Sequence, residues 1–109
     1  MIEVRLGPGP SIVCRPCGEL DWANAVSLRR FISGALRPGT EVVIDLGDIG
    51  RIDAVGLSAL VGSVRRVRAS GGKARVSNPR PQVQRRMQLV GVHGLLTGCS
   101  ARNGNDQAA

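Results

Sequence analysis

Aromatic residues are almost missing from this sequence: Trp22 and Phe31 are the only two in 109 residues, and there is no tyrosine. A core without large rings has to be built from Val, Leu, Ile and Ala, a stock that suits a sheet covered by helices. Histidine is scarcer still. His93 is the only one, and no local arrangement couples it to a nucleophile, so hydrolytic catalysis of the Ser-His-Asp kind has no support. Long apolar runs are absent as well. No stretch approaches the roughly 18 consecutive apolar residues of a membrane span, and Met1-Ile2-Glu3-Val4-Arg5 lacks a signal-peptide layout, so a cytoplasmic location is expected. The cysteines are Cys14, Cys17 and Cys99. An odd number in a small chain without an export signal argues against a disulfide framework.

What is present fits a single domain over residues 2–99, with a polar tail at 100–109 that is expected to be disordered. Charge is distributed unevenly. Residues 1–53 are near −1, whereas residues 54–109 carry nine Arg or Lys against Asp106 alone, about +8. Such a half is either a solvated basic face or a patch that steers an acidic partner or nucleic acid. Single-strand recognition would interleave aromatics with the cations, and none lies beyond Arg51. Nucleic acid is therefore not the expected partner.

Along the chain, Ile2, Val4 and Leu6 alternate with polar positions as a half-buried strand does. Gly7-Pro8-Gly9-Pro10 then turns the chain before Ser11 to Cys17 resumes extended structure, which makes an opening hairpin. Asp21 offers an N-cap to a helix in which Ala25, Leu28, Ile32 and Ala35-Leu36 recur at helical spacing, ended by Pro38-Gly39. Glu41 to Leu46 contains Val42-Val43-Ile44, the pattern of a central strand covered on both faces. From Val55 to about Ser70, Leu57, Leu60, Val61, Val64 and Val67 form one helical stripe that Gly71-Gly72 ends. Lys73 to Ser77 is a short strand. Asn78-Pro79-Arg80-Pro81 opens a third helix with Val83, Met87 and Val90 on one face and Gly91 at its end. Leu95 to Cys99 could add an edge strand. The order β-β-α-β-α-β-α predicts an α/β fold, a small mixed sheet with helices packed on it through right-handed crossovers.

The most informative stretch runs from Val42 to Leu57. A buried strand ends, a loop crosses the sheet edge, and a helix starts at or just after Val55 with Asp53 placed to cap it, where unsatisfied amides favour negative charge. This stretch resembles the STAS family, whose pattern here is a hydrophobic strand ending in Asp-Leu (Asp45-Leu46), a hydrophobic-Asp pair (Ile52-Asp53), two small residues that are typically serine (Ala54-Val55), then Gly-Leu (Gly56-Leu57). Gly18-Glu19-Leu20-Asp21 is similar to the family's turn before the first helix. Gly71-Gly72-Lys73 and Val90-Gly91 match later landmarks, so the likeness covers about residues 2 to 99.

The resemblance implies a STAS fold and an anti-sigma factor antagonist: a non-enzymatic module, without a cofactor, that docks on an anti-sigma factor with a kinase-like ATPase fold. Its contact surface would be Asp21, Asp53, Ala54, Val55, Gly56 and Leu57. In such antagonists, phosphorylation of the serine directly before the glycine breaks the complex by adding negative charge. Here that position is Val55, and Ala54 precedes it, so neither supplies a hydroxyl. One reading is a constitutive antagonist. The other is a module that docks elsewhere, as the STAS subunit of a lipid-transporting ABC complex or in a larger signalling assembly. Ser58, the nearest hydroxyl, is expected to hydrogen-bond a local backbone group rather than to serve as a displaced phosphosite. Trp22 is open to two roles, interface anchor or core residue.

Cys14-Arg15-Pro16-Cys17 has Cys-x-x-Cys spacing but lies in an expected strand, where residues three apart are about 10 Å apart and face opposite ways. Ordinary small apolar residues and a redox-regulated switch using Cys14, Cys17 and Cys99 both remain as readings. A zinc site built from these cysteines and His93 is not expected, and the glycine-rich segments are turns without a phosphate-cradling pattern.

Overall fold

The structure, a computed structural model, describes residues 2–7, 11–35, 39–91 and 94. The strand expected at 95–99, the tail at 100–109, His93 and Cys99 lie outside these residues. In chain order the elements are β1 (Ile2–Leu6), β2 (Ser11–Pro16), β3 (Gly18–Leu20), α1 (Trp22–Ala35), β4 (Glu41–Asp45), β5 (Ile49–Ile52), α2 (Ala54–Ala69), β6 (Lys73–Ser77) and α3 (Pro81–Leu89).

The hairpin forms as the sequence predicts: β1 and β2 pair antiparallel, Ile2 opposite Pro16 and Leu6 opposite Ile12. From there the sheet grows by parallel pairing, β2 to β4 and β4 to β6, giving the order β1-β2-β4-β6. Because side chains alternate across a strand, the register aligns Ile12, Val42 and Ala74 in one row and Cys14, Ile44 and Val76 in the next, all toward the core. Leu28 and Ile32 of α1, Leu60, Val64 and Val67 of α2, and Val83 and Met87 of α3 close over them. Val43 faces away from that cluster yet is only 9 % exposed, so the central strand is buried on both sides as expected.

Where α2 ends, Gly71 takes φ +91° and Gly72 N–H donates to Val67 O at 3.0 Å, a glycine-dependent stop. Arg68 then ties the helix to the sheet, its Nη2 donating to Ala74 O at 2.8 Å.

Two expectations change. Val90 does not join Val83 and Met87: α3 ends at Leu89, so Val90 is the cap residue and is exposed. Val4, expected to face inward, is 41 % exposed on the edge strand. A larger difference is the pair of short strands, β3 and β5, which form a separate two-stranded parallel sheet in what the sequence suggested were a turn and a loop.

Candidate functional site

The site is assembled by that small sheet. Leu20 at the end of β3 lies beside Ile52 at the end of β5, and each strand runs directly into an aspartate that caps a helix. Asp21 Oδ1 accepts from Asn24 N–H at 3.1 Å at the start of α1. Asp53 Oδ1 accepts from Gly56 N–H at 2.7 Å at the start of α2. Asn24 Nδ2 donates to Glu19 O, closing the first turn, and Asp53 N–H reaches Leu20 O at 3.4 Å, joining the two ends. Two helix N-termini, each with its carboxylate, are thereby set side by side, which is how Asp21 and Asp53, 32 residues apart in sequence, share one surface.

Gly56 is needed for this approach. A Cβ there would lie 1.9 Å from Leu20 O and 2.7 Å from Leu20 C, so the first turn of α2 is pressed onto the end of β3 as only glycine allows. The expected contact set accordingly divides. Asp53, Ala54 and Val55 are exposed and Asp21 is half-buried, while Gly56 and Leu57 are buried and set the position of the others.

Val55 is 49 % exposed and Trp22 68 % exposed. Trp22 is thus a surface residue, and its core role falls away. Both residues stand at one end of a groove of about 620 Å³ between α1 and α2. Ser58 lies in the same groove and is exposed; the local backbone hydrogen bond expected of its hydroxyl is not made among the described residues. On the other side of the small sheet, a cavity of about 260 Å³ brings Asp21 and Asp53 together with Arg51 and Arg86, so this surface carries both signs of charge.

Sequence reasoning missed how α3 supports this surface. Arg80 Nε donates to Gly47 O at 2.9 Å and Gln82 Nε2 donates to Gly50 O at 3.1 Å, clasping the start of α3 to the segment that leads through β5 to Asp53. These contacts span 33 and 32 residues, and no local pattern announces them.

Of the three cysteines, Cys14 and Cys17 lie within the described residues and are not joined by a disulfide. Cys14 is fully buried in the inner row of β2, and burial pushes its thiol up to about 12, so the reactive thiolate does not form near neutral pH. Cys17 is half-buried and unbonded to Cys14, its Sγ 3.9 Å from Asp48 Oδ2, and Asp48 is itself paired with Arg15 at 3.0 Å. Among the described residues no three His, Cys, Asp or Glu side chains are grouped to hold a metal, and no helix is long and apolar enough to cross a membrane.

Comparison with known proteins identifies the family and the fold. The STAS domain family model matches residues 1–103. The anti-sigma F factor antagonist of Lysinibacillus sphaericus is 30 % identical over 84 residues, covering 75 % of this chain and 72 % of that protein. The anti-sigma-B factor antagonist of Bacillus subtilis (strain 168) is 27 % identical over 79 residues, covering 72 % of each. In structure, an anti-sigma factor antagonist from Mycobacterium paratuberculosis superimposes with a TM-score of 0.74 at 22 % identity, over 96 % of this chain and 88 % of that one. The chain therefore belongs to the STAS domain family, with anti-sigma factor antagonists as its relatives.

Proposed function

We propose that this module is an anti-sigma factor antagonist that binds an anti-sigma factor of the kinase-like ATPase type, and that serine phosphorylation at the docking loop does not control it. The observation that carries this reading is the β3–β5 pairing, which presents Asp21, Asp53, Ala54 and Val55 on one surface with an apolar Val55 half exposed where a phosphorylatable residue would stand. Such a surface is suited to binding: two capped helix starts and a neutral side chain offer contacts and charge. A phosphoryl group would bring about −1.5 to −2 charges to this spot, next to two carboxylates; valine keeps it permanently neutral.

Affinity capture from cells of the source organism tests the partner. Recovery of a kinase-like anti-sigma factor, lost on Asp53→Lys, supports the reading; recovery of transporter subunits with no such protein refutes it. The control step is tested with Val55→Ser. Incubated with the captured kinase and ATP, the variant should take up phosphate and dissociate while the wild type does neither. Phosphate uptake by the wild type at Ser58 would overturn the second half of the proposal.

A further inference from the structure

Beyond its Trp22–Val55 end, the α1–α2 groove is a surface that the loop does not use. Its α2 wall is made of small residues: a Cβ added at Gly62 meets nothing within 4 Å, and Ala59 lies one turn before it. Its edges carry Arg29 from α1 and Arg66 from α2, both exposed, and no acidic side chain lines it. At its floor Ser63 is 3 % exposed, and its hydroxyl has no hydrogen-bond partner among the described residues. A hydroxyl so deeply buried and unpaired is costly, and a polar group of an occupant would satisfy it. From Ser58 to Arg66 the wall runs about 12 Å at 1.5 Å per residue, about two turns of helix.

We propose that this groove seats an acidic amphipathic helix of a partner protein, its small apolar face on Ala59 and Gly62 and its acidic residues toward Arg29 and Arg66. Small side chains let a third helix approach closely enough to pack between two others, and the unopposed arginines select the sign of its charge. Nucleic acid fits less well, because Trp22 is the only ring along the groove and stands at its end. The inference does not depend on which protein binds the 53–57 loop.

A display library of helical peptides about 16 residues long, enough to span the two turns available with flanks on either side, tests it. The library is selected on the wild-type protein, and Trp22 fluorescence reports seating. Enriched peptides should be amphipathic with an excess of Glu and Asp, and should shift Trp22 emission to the blue. They should bind Gly62→Leu at least about tenfold more weakly, although Gly62→Leu melts no lower than wild type because its side chain enters open space. The double variant Arg29→Glu, Arg66→Glu should prefer lysine-substituted versions of the same peptides. The proposal is overturned if nothing is enriched, if enriched peptides lack an acidic excess, or if Gly62→Leu binds them as well as wild type. A Gly62-dependent Trp22 shift produced instead by phosphatidylglycerol vesicles or a single-stranded oligonucleotide would also overturn it.

Discussion

The same substitution at two glycines of α2 should have opposite effects. At Gly56 an added Cβ would lie 1.9 Å from the carbonyl oxygen of Leu20, and at Gly62 it would touch nothing within 4 Å. Backbone oxygen cannot rotate aside as a side chain can, so Gly56→Ala has to lift the start of α2 off β3 by about 1 Å, a strain of the overpacking kind that costs about 1–3 kcal/mol. That movement also opens the 2.7 Å bond from Gly56 N–H to Asp53 Oδ1, a cap worth about 1 kcal/mol. Alanine returns about 0.5–1 kcal/mol of helix preference at either site. The net expectation is a loss of about 2 kcal/mol for Gly56→Ala and a gain of about 0.5–1 kcal/mol for Gly62→Ala. At about 4–8 °C per kcal/mol, the melting temperatures of the two variants should differ by more than 10 °C, bracketing wild type. Urea unfolding and calorimetry on both proteins measure this. If the two shifts share a sign, or if Gly56→Ala stays within 0.5 kcal/mol of wild type, the close approach of α2 to β3 is wrong.

Other consequences follow from single groups. Asp53→Ala removes the carboxylate that caps α2 and should cost about 1 kcal/mol in urea unfolding, whereas Asp53→Asn, which can still accept the bond, should cost less. Ser63→Ala removes a buried hydroxyl without a partner and should leave stability unchanged or raise it; a loss above 1 kcal/mol would show that the hydroxyl is bonded. For Cys14, the folded thiol is held protonated up to about 12 against an ordinary 9.0. Stability is then unaffected below about pH 9 and falls above it by about 1.4 kcal/mol per pH unit, as the unfolded chain releases the proton first. Cys14→Ala should lack that part of the slope.

The sequence disclosed what is local or periodic. An N-cap is decided within four residues, so Asp21 and Asp53 were legible, and so was α2, whose Leu57, Leu60, Val64 and Val67 repeat at helical spacing and are all buried. The central strand announced itself through Val42-Val43-Ile44. The strands β3 and β5 did not. β5 buries Ile49 and Ile52 at a spacing of three with a glycine between them, and β3 has three residues with a register shift at Gly18, so neither shows alternation. Each is held by the partner strand and by packing against α3 and α1, contacts that do not exist until the chain has folded. Val90 illustrates the reverse error: its spacing from Val83 was right for a helix that stops one residue too soon.

The β3–β5 pair also gives the site a history. One strand is made early in the chain and the other about thirty residues later, and parallel pairing between them requires the intervening α1 and β4 to be in place. Asp21 and Asp53 are thus neighbours only in a finished domain. A nascent or half-unfolded chain carries both residues but not the surface they share, so any contact made at that surface reports a completed fold.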